Sequence, residues 1–338
     1  MMNKILNIES LRFPWQTQDP FVFCAYHKET YPKGNAAMGV DPALLRGKNI
    51  GQDFSPNAPW RMYHGTTLPG FPYHPHYGFE TITINVEGVV DHSDSMGAAG
   101  RFMGGDVQWM TAGKGVQHSE MFPLLQEEKD NPLEIFQLWL NLPKKSKKVA
   151  PHFKMLWRED IPVVTHGDES NRKTIIQVIA GKLDNTTALT PTPDSWASDP
   201  NNAIAIFTVK IEPQATWTLP KTAAQANRSI FFYKGSNIEI EKQKIISGKC
   251  IELLPDEAIE IKNGDADAYL LILEGTPIGE PVVQHGPFVA NSAAEIQEVM
   301  REYSRTQFGG WPWPETEMAH AKTKGRFALH SDGKEEIK

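Results

Sequence analysis

The sequence predicts an all-β protein with a single helix close to its C-terminal end. Turn formers are dense, with 25 prolines and 26 glycines among 338 residues, and such punctuation marks many short strands. Several runs alternate apolar and polar residues with the two-residue period of half-buried strands. They include Thr81-Ile82-Thr83-Ile84-Asn85-Val86, Ile238-Glu239-Ile240 and Ile259-Glu260-Ile261. Only residues 292–308 carry a convincing helical period. The length suffices for two domains of ordinary size.

Bulk chemistry narrows the function. The formal net charge is −7 and the pI about 5.9, whereas proteins that coat nucleic acid are basic, so no direct nucleic-acid partner is expected. Cys24 and Cys250 are the two cysteines; they make no disulfide framework, and a reducing compartment is the default. The N-terminal stretch reaches Asn7, Glu9 and Ser10 before any apolar core of a signal peptide has formed. No run approaches the about 18 apolar residues of a membrane helix. A cytoplasmic protein without a membrane partner is expected.

Taken in order, Phe21-Val22-Phe23-Cys24-Ala25-Tyr26 reads as a first strand. Residues 31–69 are rich in Gly, Pro, Asn and aromatics without a clean period. A segment this long without period is a functional loop or an idle surface one, and it lies where it could fold over a barrel mouth just before His74. His64, alone within it, reads as a surface residue. Residues 71–142 form the N-terminal barrel, with Gly70, Gly78, Gly88, Gly97 and Gly100 marking turns. His92 reads as an exposed strand histidine. Leu133–Leu142 is a buried strand, and Gln137 within it reads as satisfying a buried backbone group, less readily as facing a metal cavity. Pro143-Lys144-Lys145-Ser146-Lys147-Lys148 reads as a solvated connector.

Residues 149–290 form a second barrel, with candidate strands Thr174–Ala180, Ala203–Ile211, Ser229–Tyr233, Ile238–Ile240, Cys250–Leu254, Ala258–Ile261 and Ala268–Glu274. Its histidines, His152, His166 and His285, are isolated, so no second metal site is expected. Segment 184–202 reads as a polar loop. In the helix, Ser292 and Glu295 make a capping box, and Ile296, Val299, Met300 and Tyr303 share one face. The tail beyond it is expected to pack through its tryptophans and to fray past about residue 318.

The chemistry concentrates in residues 74–120. On a strand, residues i and i+2 point to one face. His74 and His76 therefore project together, and so do His118 and Glu120. If their strands neighbour each other in one barrel, three imidazoles and a carboxylate converge. That donor set suits Fe, Mn, Ni, Cu or Zn. Around an octahedral ion it leaves two positions open for substrate or O₂; around a tetrahedral zinc it leaves none.

The run His74-Pro75-His76-Tyr77-Gly78-Phe79-Glu80-Thr81, with Gly105-Asp106-Val107-Gln108-Trp109-Met110-Thr111-Ala112-Gly113 and His118-Ser119-Glu120, resembles the pirin family of the cupin superfamily. The resemblance implies two cupin (jelly-roll-type) β-barrels in tandem and a C-terminal helix, with a metal in the N-terminal barrel only. The expected domains are then 1–142, a linker 143–150, 151–290, and a helix and tail over 291–338. The implied ligands are His74, His76, His118 and Glu120, with Glu80 outside the set. Fe(II) is the expected ion, with Mn, Ni, Cu or Zn as alternatives. The implied activity is that of a quercetin 2,3-dioxygenase-like oxidoreductase acting with O₂ on a flavonol-like or other small enolic or phenolic substrate, with Glu120 as general base. The alternative is a metal-dependent, redox-responsive binding or regulatory protein that engages a protein partner without catalysis.

Overall fold

The computed structural model of the protein describes residues 3–56 and 58–338. It divides into two compact units that interleave along the chain. One comprises Ala25–Arg158 with Glu280–Lys338, the other Met1–Cys24 with Glu159–Gly279. This differs from the expected boundaries. The strand Ile5–Ser10 pairs antiparallel with Lys249–Leu253, Ile8 opposite Ile251, so the first residues complete the second barrel and not the first. The helix and tail belong to the first.

In the first unit, one sheet runs in the order Phe21–Tyr31, Asn131–Asn141, Phe79–Glu87, Val107–Thr111, His152–Leu156. The other runs Glu335–Ile337, Phe327–Leu329, Ala99–Met103, Val89–Asp94, Val116–Met121, Gly70–His76. The alternation in Phe79–Glu87 has a clear cause. Thr83 points inward to donate to Glu120, while Ile82 and Ile84 are buried on the opposite face. The turn between Gly70–His76 and Phe79–Glu87 requires Gly78. Its φ is +82°, and a Cβ there would lie 2.0 Å from the Val289 carbonyl oxygen.

Segment 31–69 is no idle loop. Val40, Met62 and Tyr63 are buried in one core with Phe102, Phe122, Leu133 and Phe153. The Tyr63 hydroxyl donates to Glu29 Oε1 at 2.6 Å and accepts from His27 Nδ1 at 2.8 Å, and Arg61 pairs with the same Glu29 oxygen at 2.7 Å.

The tail also departs from expectation. It packs as strands and does not fray after residue 318. Phe327–Leu329 pairs with Ala99–Arg101 in register, and Glu335–Ile337 adds to its outer edge. The cause is a set of buried charges that a local pattern does not display. Arg101, fully buried, holds Asp91 through two 2.7 Å bonds and donates to the carbonyls of His320, Ala321 and Lys324. Arg326 Nε donates to Asp106 Oδ2 at 2.8 Å.

The lysine-rich connector is only partly solvated. Lys147 is buried, and its ammonium donates to Gly78 O and Asn141 Oδ1, both at 2.8 Å. Burial brings its pKa down to about 8 against the upward pull of Glu280 and Glu295. The helix spans Ala293–Thr306, Ser292 accepting from Glu295 N. Glu295 accepts from Asn291 N, one residue before the expected box partner. Ile296 and Val299 are buried as expected, but Met300 faces solvent.

The second unit has a seven-stranded sheet, Ile5–Ser10, Lys249–Leu253, Asn227–Lys234, Ala268–Gly275, Ala205–Ile211, Lys173–Ala180, Val163–Gly167. Its four-stranded sheet runs Thr216–Leu219, Ile259–Asn263, Asn237–Ile240, Gln243–Ile246. Val163–Gly167, Thr216–Leu219 and Gln243–Ile246 go beyond the expected strands. The alternating isoleucines do what their period implies: Ile238, Ile240, Ile259 and Ile261 are fully buried in a core with Phe207, Trp217 and Ile272. Beside this apolar core the unit buries one ion pair, Arg228 Nε donating to Glu274 Oε1 at 2.8 Å. Segment 184–202 is not featureless; it holds the second half of a small hairpin, Lys182–Leu183 with Thr186–Thr187, and two short 3₁₀ turns. No helix among the described residues is long and apolar enough to cross a membrane.

Candidate metal centre

Strand pairing converts two distant sequence pairs into one cluster. Gly70–His76 lies antiparallel to Val116–Met121, with His74 opposite His118 and a register shift between Phe71 and His74. His74 Nε2 lies 3.1 Å from His76 Nε2 and 3.0 Å from His118 Nε2. One ligand atom from each of the three lies within 4.8 Å of the others. The structure thus brings together His74, His76 and His118, as the strand period requires.

The tautomer of His74 follows from its partner. The Pro72 carbonyl, 2.9 Å from Nδ1, can only accept. Nδ1 therefore carries the proton and Nε2 presents a lone pair to the cluster. Burial keeps all three rings neutral. The His74 pKa falls to about 4, the Pro72 carbonyl pulling upward while the nearby His64 and His92 add to the fall. His76 and His118 are pushed well below the usual range, by burial first and by neighbouring imidazoles next. His74 Nε2, which has no proton of its own, faces the Nε2 atoms of both His76 and His118. His118 Nδ1, on the far side of its ring, is buried without a partner.

Glu120 stands beside this triad. Its Oε2 is 3.5 Å from His118 Nε2. Both oxygens are occupied, Oε1 accepting from Thr83 at 3.0 Å and Oε2 from Gln137 Nε2 at 2.5 Å. Burial raises its pKa; His92, Thr83 and Gln137 oppose the rise. Gln137 is oriented in turn by Trp139, whose Nε1 donates to its amide oxygen at 3.1 Å. The expected backbone role of Gln137 gives way to this one, since its strand neighbours Thr83 directly. Trp139 stacks on Phe79 at 3.9 Å, and both rings meet His76 edge-on. Glu80 lies outside the cluster, accepting from Trp109 and Thr111.

His92 is not exposed. It is fully buried opposite Glu120, stacked on Phe153. Gln108 donates to its Nδ1 at 3.0 Å, so its Nε2 carries the proton donated to Asp94 at 3.1 Å. Asp94 stands at i+2, so the two-residue period that links His74 to His76 also points to this pair. His64 is exposed, as expected, with Nδ1 on the Gly51 carbonyl at 2.8 Å.

Comparison with known proteins agrees with this architecture. Family models match residues 10–140 as Pirin and residues 206–309 as the Pirin C-terminal cupin domain. Pirin-1 of Arabidopsis thaliana is 36% identical over 244 residues, 71% of this chain and 78% of that protein. Pirin of Mus musculus is 32% identical over 255 residues, 73% of this chain and 80% of that protein. A solved structure of quercetin 2,3-dioxygenase from Acinetobacter baumannii superposes with a TM-score of 0.71 at 25% identity, covering 92% of this chain and 99% of that one. With a histidine cluster in the first unit and both units matched by the family models, the chain belongs to the pirin family of bicupins.

Proposed function

We propose that the protein is a metal-dependent oxidoreductase of the quercetin 2,3-dioxygenase type, acting with O₂ on a flavonol-like or related enolic or phenolic substrate. The observation that carries this reading is the convergence of three neutral imidazole nitrogens with a buried carboxylate 3.5 Å away. The residues fit a divalent ion. Three neutral imidazoles whose Nε2 atoms converge on one point, beside a buried carboxylate, form a donor set that a shared divalent cation suits. His74, His76 and His118 would hold the ion, Glu120 completing the set. A bound Fe(II) would supply Lewis acidity and the chemistry of O₂.

The chain's own groups then have distinct tasks. Glu120 takes the proton of the substrate hydroxyl. Burial biases it toward the proton-bearing form, while Thr83 and Gln137 stabilise the carboxylate that must accept it. Gln137 and Trp139 fix the carboxylate's rotamer. Phe79 and Trp139 back His76 with apolar surface and keep water from that side of the ligand.

The deciding experiment is anaerobic reconstitution with Fe(II), then quercetin and O₂, following flavonol absorbance and trapping carbon monoxide. Turnover with CO release, lost in Glu120→Ala, is the expected result. Fully loaded protein without turnover would overturn the dioxygenase reading. The weight would then pass to a redox-responsive binding protein, tested by partner capture in the Fe(II) and Fe(III) states.

A further inference from the structure

Segment 31–69 and the strand Gly70–His76 that follows it together place an aromatic surface beside His74. The Phe71 ring lies 6.2 Å from the ring of His74 and 5.9 Å from that of His64. Phe54 meets His64 edge-on at 4.9 Å and remains 39% exposed. Behind them Tyr63 stacks on Phe71 at 5.0 Å and is itself fixed by Glu29 and His27. The platform is therefore fixed from behind, with Phe54 and His64 exposed to water and Phe71 half-buried. His64 adds a polar atom whose orientation is set by one hydrogen bond. Its Nδ1 faces the Gly51 carbonyl at 2.8 Å and must donate to it. In the neutral ring Nε2 then carries a lone pair.

We propose that this aromatic surface selects the substrate: Phe54 and Phe71 hold a planar multi-ring aromatic by stacking, and His64 Nε2 accepts a hydrogen bond from a hydroxyl remote from the reacting one. The proposal rests on the dioxygenase reading of the histidine cluster and narrows its substrate class to polyhydroxylated aromatics. Aromatic rings grip a planar ligand with little directional demand. A single acceptor one ring away from the metal ligands supplies the discrimination that stacking lacks, because a hydroxyl that finds it gains a bond and an analogue without that hydroxyl leaves it unfilled. His64 is a specificity residue here and touches no metal.

The test compares quercetin with 3-hydroxyflavone, which keeps the reacting hydroxyl and lacks the remote ones, on Fe(II)-loaded protein. His64→Phe keeps the ring packing and removes both nitrogens. It is expected to raise the ratio of KM for quercetin to KM for 3-hydroxyflavone roughly tenfold, the size of one lost hydrogen bond, with metal content unchanged. His64→Gln places an acceptor near the Nε2 position and should restore most of the ratio. His64→Asn reproduces only the Nδ1 side toward Gly51 and should not. A purely structural role would show the reverse, rescue by Asn and none by Gln, and would overturn the proposal, as would equal KM changes for both flavonols. If wild-type protein turned over neither compound, the dioxygenase reading would fail by itself. Dissociation constants for the same pair, read by tryptophan fluorescence, then decide: a preference for quercetin that His64→Phe abolishes supports the proposal, and no preference overturns it.

Discussion

Gln137 donates its amide hydrogen to Glu120 at 2.5 Å, and Trp139 fixes the same amide from its oxygen side. Gln137→Leu removes a donor from a buried carboxylate and frees its rotamer. Metal affinity is expected to fall about 10- to 100-fold, as for other residues that orient a ligand from behind. Competition with a fluorescent chelator measures it, and an unchanged affinity would show that Glu120 needs no such support.

His118 lies between His74 and Glu120, in contact with both. His118→Ala should leave the chain folded and strip it of metal. Elemental analysis beside circular dichroism reads both, and metal retained at full stoichiometry would refute the ligand assignment.

Acid should weaken the apoprotein between about pH 6.5 and pH 4. His27, lowered to about 3 by burial and then by Arg61, and His74, lowered to about 4 by burial, stay neutral when folded. Unfolded, both recover values near 6.5. In that window the unfolded chain binds more protons, so stability rises with pH across it and is lost as pH falls. Urea midpoints for metal-free protein at pH 7.5 and pH 5 give the sign, and a higher midpoint at pH 5 would contradict it.

Arg101→Leu leaves Asp91 charged and buried, and three tail carbonyls lose their donor. A cost of about 3–5 kcal/mol is expected. Limited proteolysis should then cut within residues 318–338, while the wild-type tail, paired as strands, is expected to resist.

Lys147→Met strips Gly78 O and Asn141 Oδ1 of their buried donor. The loss should be about 1–3 kcal/mol in chemical denaturation. A solvated connector lysine would show none.

The sequence made the triad readable because a strand's period is strict: His74, His76 and His118 face inward whatever surrounds them. The same rule applied to His92 and Asp94, yet a run of four polar residues, Asp91 to Asp94, looks like solvent-facing strand. Its burial depends on partners supplied from elsewhere, Arg101 for Asp91 and Gln108 for His92. Lys147 was hidden among lysines of identical appearance. Phe327–Leu329 is three residues long, too short to show a period, and Ile5–Ser10 reveals nothing locally about a partner near residue 250. Local pattern carries facing and turn; it does not carry which distant edge a strand will join.

That last pairing has a consequence for how the chain is made. Ile5–Ser10 leaves the ribosome roughly 240 residues ahead of Lys249–Leu253, the strand it needs. At about 5–20 residues per second, the nascent segment waits roughly 12–50 s with Ile5 and Ile8 unpaired. Synthesis therefore holds open a sheet edge that only the strand near residue 250 can close.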